Sequence, residues 1–483
     1  MTEIIFKIII ITLLFYKSAT TTAVKDRFYP RYHLAPPFGW MNDPNGFCYY
    51  QNEYHLFYQY NPFSSESAGV AHWGHAVSTN LVTWKHLPIA MKPDQSYDKT
   101  GVFSGSGIVV NDILYLFYTG NVNFEDQIPD RKQVQAMAYT TDGINVIKYD
   151  GNPIINGTKF QPDFRDPKVW KHHNDFYMIL GHSLNNNTGE VLLYESKNLI
   201  DWKHKSVLLR SNGSLGYMWE CPDIFKLKDY YVLLFSPQGI QPQGDKYRNI
   251  YQTGYISGYL DHKSGYFKPL SEFYQIDEGS DFYATQTMLD KKGRRIMIAW
   301  MDTWGEEYPE RADGSAGQMT LPRELFITPE GQIIQKPIDE LDEILGEIIY
   351  SGKAQKGLNI TLPDKSGKIV IRAPKVANFS LHVQDASNSS NEVLIHYDYE
   401  KQRVTVNRQS YDGLRRAHWS PKGELKWVVF IDASSIELFC GEGEVTFSFR
   451  VFLYGDIIVT LENDAYHYHV QAINRSIPLP NST

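Results

Sequence analysis

The chain has 483 residues, of which 42% are hydrophobic and 14% aromatic, and it carries a formal net charge of −8 at pH 7. That balance, with no basic patch, argues against a nucleic-acid partner. Three cysteines do not make a disulfide scaffold, so the stability must come from a core, in a chain with room for two or three domains.

At the N-terminus, Ile4 to Tyr16 is nearly all apolar, broken only by Lys7 and Thr12, and Ser18 to Ala23 are small. This is the pattern of a secretory signal peptide over 1–23, too short to span a membrane, with cleavage near Ala23. It predicts a secreted, extracellular protein without a stable membrane span. Asn-X-Ser/Thr acceptors at Asn156, Asn186, Asn212, Asn359, Asn378, Asn388, Asn474 and Asn481 fit a secreted glycoprotein.

Residues 24–336 are organised by one hairpin repeated five times. It starts at Gly46, Gly107, Lys168, Asp223 and Thr287, at spacings of 61, 61, 55 and 64 residues. Each copy is an apolar strand, a polar turn such as Asn111-Asp112 or Lys228-Asp229, and a second strand rich in aromatic and branched residues. A weaker repeat follows the first three copies, as in HAVSTNLVTWKHLPIAM and LYESKNLIDWKHKSVLL, and would complete a four-stranded sheet. The period predicts an all-β fold built on a five-bladed β-propeller. A β-sandwich with coincidental spacing is the alternative.

Three acidic motifs stand just ahead of hairpins: Trp40-Met41-Asn42-Asp43-Pro44-Asn45-Gly46, Phe164-Arg165-Asp166-Pro167 and Trp219-Glu220-Cys221-Pro222-Asp223. Asp43, Ser104, Asp166 and Glu220 lie two or three residues before successive hairpin starts, and so are expected to converge at one side of a central funnel. Three carboxyls in one pocket cannot all ionise freely, and a raised and an ordinary carboxyl together suit retaining glycoside hydrolysis. Glu220, flanked by Trp219 and Cys221, has the apolar neighbours that suit a proton donor, with Asp223 as an alternative acid. Arg165 can hold sugar hydroxyls or keep Asp166 charged. Each motif alone also reads as a turn, since Asp-Pro and Asn-Gly initiate turns. Trp40, Trp73, Trp219 and Trp300 either stack on a sugar or fill gaps between sheets; the small Gly74 beside Trp73 favours ligand contact there. For Trp84 and Trp202 packing is expected. Tyr283 either bonds a catalytic carboxylate or closes the fifth sheet. The histidine pairs His72/His75 and His172/His173 lack a third ligand at zinc spacing, so neither a metal nor another cofactor is expected.

Beyond the fifth hairpin, 337–349 reads as a linker helix and 350–483 as a β-sandwich, from alternating strands such as Lys368–Arg372, Glu392–Tyr399 and Ser435–Phe439.

These segments resemble glycoside hydrolase family 32, the invertases and other β-fructofuranosidases. The resemblance runs through WMNDPNG, HLFYQYNPF, HWGHAVSTNLVTWKHLPIA, FSGSG, FRDPKVW, WECPD and DFYATQTM, in the family's order, and covers nearly everything after the leader. It implies a five-bladed propeller with an appended β-sandwich, and it implies Asp43 as nucleophile, Glu220 as general acid/base and Asp166 as transition-state stabiliser. Fructose-binding positions would fall on Asn42, Gln59, Trp73, Ser104, Arg165 and Trp300, with Phe103 of FSGSG and Tyr283 beside them. The expectation is a secreted retaining β-fructofuranosidase acting on sucrose or other terminal β-fructosides. The leader makes phosphorylated sucrose the less expected substrate. A sugar-binding propeller that has lost catalysis is the competing reading.

Overall fold

A computed structural model describes residues 23–480, apart from 126–128, 158–162, 185, 356, 375, 377, 409–412 and 463–466. The expected leader lies outside the described residues except for Ala23. No described helix is long and apolar enough to cross a membrane.

The described residues form seven sheets and only short 3-10 turns. Five sheets succeed one another between 39 and 337, and each expected hairpin supplies the first two strands of one of them. The first strands are Gly39–Tyr50, Gly101–Val110, Phe164–His172, Met218–Leu227 and Tyr283–Leu289. Each of these contacts the first strand of the next sheet, and Tyr283–Leu289 contacts Gly39–Tyr50. A short parallel pairing of Ser315–Ala316 with Gly39–Trp40 ties the last sheet region back to the first.

Burial explains the composition. Glu53–Asn61 is buried at every position but its first, because sheets cover it on both faces, whereas the outer strand Lys85–Met91 is half-buried or exposed at every position but its last. A strand packed on both faces takes aromatic and branched residues throughout instead of alternating.

The two remaining sheets have six strands each and share one apolar core, in which Phe379 packs on Trp427 at 4.2 Å between ring centroids. They pack face to face as a sandwich. Their first strand, Leu345–Gly352, pairs with His467–Ile473. The helix expected over 337–349 is therefore corrected: Asp339–Ile344 forms one 3-10 turn without a side-chain cap, and the strand begins at once. Six residues are too few to repay helix nucleation, and the sheet edge offers Leu345–Gly352 backbone partners instead. Cys48, Cys221 and Cys440 are buried and free.

The two modules meet through an apolar seam, in which Tyr32 and Leu341 pack with Phe430 and Phe439, and through buried charge. Arg323 bridges Asp277 at 2.9 Å and Glu437 at 2.6 Å. His33 bridges Asp432 at 2.8 Å and Glu437 at 2.9 Å, one ring nitrogen to each. Burial pulls the His33 imidazolium down, but its two carboxylates outweigh this and hold it up at about 8. A folded-state value above the unfolded one of about 6.5 means that the charge contributes stability fully below pH 6.5 and loses it as pH rises through 8. His33→Gln should therefore cost the most stability at low pH, with the gap to wild type shrinking by about 2 kcal/mol as pH rises from 6 to 9. Denaturant unfolding across that range measures it; a gap that widens with pH would contradict the assignment.

Candidate active site

Regular pairing breaks along the first hairpin of each of the five N-terminal sheets. Register shifts fall between Met41 and Pro44, Phe103 and Gly105, Glu220 and Asp223, and Tyr283 and Gln286, with another opposite Arg165–Lys168. Asn42, Asp43, Ser104 and Asp166 fall inside these bulges, and Glu220 and Tyr283 border them. A bulge frees one residue from the ladder and re-aims its side chain. Asp166, Cys221 and Ala284 take left-handed backbone, at φ 66°, 47° and 54°. Such backbone is costly for non-glycine residues and clusters at functional sites. Gly105 is obligatory, since a Cβ there would lie 1.8 Å from the Phe117 carbonyl oxygen.

The bulged residues surround a cleft of about 400 Å³ lined by Asn42, Asp43, Gln59, Phe103, Ser104, Arg165, Asp166 and Glu220. Ser104 donates to Asp43 Oδ2 at 2.6 Å and Asn42 to Asp43 Oδ1 at 3.0 Å. Asn42 is itself oriented by the Trp40 indole at 3.1 Å, and Ser104 accepts a 3.2 Å bond from Gln59. Asp166 accepts the Cys221 backbone N–H at 2.9 Å. Glu220 is held from both sides. Arg165 donates to Oε1 through Nε at 3.0 Å and Nη2 at 2.8 Å; Gln238 and the Tyr283 hydroxyl donate to Oε2 at 2.7 and 2.5 Å. Asp163 anchors the other side of Arg165 at 2.6 Å.

Charge crowding has the expected direction on two groups. Burial raises the Asp43 carboxyl above its usual range; the Ser104 hydrogen bond opposes this and the Glu220 charge adds to it. Burial also pushes Asp166 up to about 7, with Arg165 opposing and the Glu220 and Asp43 charges reinforcing. The Cys221 thiol, 3.6 Å from Asp43 and 3.7 Å from Asp166, is raised well above its ordinary value by burial and these carboxylates.

Some expected residues are elsewhere. Trp73 is wholly buried among Phe57 and Tyr118, and its indole donates to the Phe103 carbonyl at 3.1 Å, so it supports the cleft wall from behind. Trp300 is also wholly buried, packed against Trp40 and Trp304. Both are corrected from ligand contacts to packing: large rings next to small glycines fill gaps between sheets as readily as they face solvent. Tyr283 lies behind Glu220, bonded to it and not lining the cleft. The apolar surroundings expected for Glu220 are also corrected, because Trp219 turns away to stack on Phe235 and polar donors take its place. Asp223, the alternative acid, is buried in an ion pair with Lys168 at 2.8 Å and bonded by Thr287. Sequence reasoning missed Trp304, Gln133, Gln238, Arg131 and Asp163. Gln238 is the last residue of its hairpin's second strand, Tyr230–Gln238, and no motif marks it; Trp304 sits in a loop outside every repeat.

Comparison with known proteins gives the family. The N-terminal domain of glycosyl hydrolases family 32 matches residues 33–337, and the family's C-terminal domain matches residues 347–471. A sucrose-6-phosphate hydrolase of Escherichia coli is 37% identical over 440 residues, 88% of this chain and 89% of that protein. A raffinose invertase of Escherichia coli is 35% identical over 442 residues, 89% of this chain and 90% of that one. The solved GH32 beta-fructofuranosidase BmSUC1 of Bombyx mori is 39% identical, covers 97% of this chain and 98% of its own, and superposes with a TM-score of 0.90; a mutant of it has been solved in complex with sucrose. With both family domains matched over nearly the whole described length, this chain belongs to glycoside hydrolase family 32 and is a glycoside hydrolase.

Proposed function

We propose that this protein is a secreted β-fructofuranosidase that hydrolyses sucrose with retention of configuration, on a five-bladed propeller whose blades are the five successive sheets. The observation that carries this reading is the gathering of Asp43, Asp166 and Glu220 in one cleft, each oriented by its own donors. A protein that only bound sugar would have no need of three crowded carboxyls, which disfavours the binding-only alternative.

In this mechanism Asp43, held by Ser104 and Asn42 in its ionised form, attacks the anomeric carbon of the fructosyl unit. Glu220 gives its proton to the glycosidic oxygen, so glucose leaves and a fructosyl ester forms on Asp43. Glu220 then takes a proton from water, which attacks the same carbon and frees Asp43. Glu220 must accept and release a proton among four donors. The Tyr283 hydroxyl can follow it, since its hydrogen has a second acceptor in the Ser236 carbonyl at a longer 3.5 Å. Asp166, fixed by Cys221, is placed to accept hydroxyls of the fructosyl ring and stabilise its developing positive charge.

Free sucrose is the substrate proposed over sucrose 6-phosphate. The described cations lining the cleft, Arg131 and Arg165, are both paired with Asp163, at 2.8 and 2.6 Å, which leaves little positive charge for a phosphate dianion. Secretion and glycosylation are supported by the leader pattern and by the sequon asparagines: all seven that are described, Asn156, Asn186, Asn212, Asn359, Asn378, Asn388 and Asn474, are exposed.

Four outcomes test the reading. Sucrose should be turned over with a higher kcat/KM than sucrose 6-phosphate, in assays run beside raffinose, inulin and levan; a preference for the phosphate ester would reverse the substrate assignment. Asp43→Asn should stay folded and lose at least about 10⁴-fold in kcat, the scale of removing a covalent nucleophile, and time-resolved NMR of the wild type should show β-fructofuranose first. Initial release of the α-anomer would refute the double displacement. Glu220→Gln should lose about 10²- to 10⁴-fold on sucrose but far less on an aryl fructoside with an activated leaving group. Equal losses on both would make Glu220 a binding residue.

A further inference from the structure

Two arginines of the C-terminal sandwich, Arg408 and Arg450, bond the stretches that lead to the cleft. Arg450, at the end of the strand Val445–Arg450, is wholly buried and touches two separate stretches of the N-terminal module. On one side its backbone N–H donates to Asp281 Oδ2 at 2.9 Å. Asp281 is also bonded by Arg408 at 2.8 Å and by the Tyr308 hydroxyl at 2.5 Å, and it lies two residues before Tyr283, whose hydroxyl holds Glu220. On the other side the Arg450 guanidinium forks onto both oxygens of Glu310, donates to the Met301 carbonyl at 3.3 Å and lies 3.7 Å from Asp302. Met301 and Asp302 lead directly to Trp304 in the cleft wall. Glu310 accepts the Gly317 N–H at 2.8 Å, and Gly317 packs so tightly that a Cβ would lie 2.1 Å from the carbonyl oxygen of Met41, the residue before Asn42 and Asp43.

We infer that Arg450 is a positioning residue for both catalytic carboxyls: its backbone N–H holds Asp281, two residues before the Tyr283 that supports Glu220, while its guanidinium holds the strand that carries Asp43 through Glu310. The inference rests on the roles proposed for Asp43 and Glu220. Mere cohesion would be a poor use of this site, because a buried ion pair seldom stabilises more than apolar packing of the same volume. What a planar, bidentate cation adds is fixed geometry at Glu310 and the Met301 carbonyl at once. Catalysis is sensitive to such geometry, since displacement by about 1 Å can cost about 10²-fold.

The test uses the full chain, at temperatures well below unfolding, with His33→Gln as the comparison, because His33 joins the same two modules without leading to the cleft. Arg450→Lys keeps the backbone bond to Asp281 and loses the fork onto Glu310; it should lower kcat on sucrose by about 10- to 100-fold, change KM much less, since Gln59 and Ser104 lie on strands that Arg450 does not bond, and move the pH–rate profile. His33→Gln should lower the melting temperature yet keep the kcat and the pH profile of wild type. Arg450→Lys with wild-type kcat and pH profile overturns the inference, as does a loss that His33→Gln reproduces. If Arg450→Lys does not fold, Asp281→Asn carries the same expectation on the Glu220 side, and wild-type behaviour there overturns it too. Should the wild type cleave no fructoside, the proposed function fails instead, and tryptophan emission from the Trp40–Trp300–Trp304 cluster decides the inference: a shift in Arg450→Lys supports it and an unchanged spectrum overturns it.

Discussion

Three carboxyls confined in one small cleft repel one another, and the rest of the site is arranged around that repulsion. Asp43 and Asp166 both lose water and both feel Glu220. Arg165 is the answer in charge: it meets Glu220 through two nitrogens and is itself fixed by Asp163, so one guanidinium sits between two acids and draws down a third. The remaining compensation is neutral, from Ser104, Asn42, Gln238, Tyr283 and the Cys221 amide. Neutral donors stabilise an anion without adding a second cation that would bind the substrate's leaving group or salt from solution.

The bulges make this crowding possible. A regular strand would send successive side chains to opposite faces and bury the acids between sheets. Breaking the ladder at these points turns them toward the cleft. The backbone there is tightly committed: Asp166 is left-handed without being glycine, and Gly105 has no room for a side chain.

This is also why the acids were legible in the sequence and some aromatics were not. Asp43, Ser104, Asp166 and Glu220 recur two or three residues before the first four hairpins, and a repeat in sequence becomes a repeat in space when the sheets are equivalent. Trp73 and Trp300 carry no such information. Their neighbours in sequence are the same whether the indole faces a sugar or another sheet, and burial between sheets is decided by residues far along the chain. The segment at 337–349 misled for a related reason, because Leu345–Gly352 is a strand only by virtue of His467–Ile473, more than a hundred residues later. Gln238 acts on Glu220 from the cleft wall and Asp163 acts through Arg165, by ordinary amide and carboxyl groups with no motif of their own. The ties between modules, His33 to Asp432 and Arg450 to Glu310, join residues whose pairing no local pattern announces.

Cys48, Cys221 and Cys440 lie apart in the first sheet, the fourth sheet and the sandwich, each buried and unpaired. Nothing in the fold therefore waits on oxidation. The chain can reach its native state in a reducing cytoplasm as well as in an oxidising secretory route, and thiol reductants leave its covalent framework untouched. For a protein proposed to be secreted, this makes production in a bacterial cytosol a direct path to active material, free of the disulfide shuffling that limits many exported proteins.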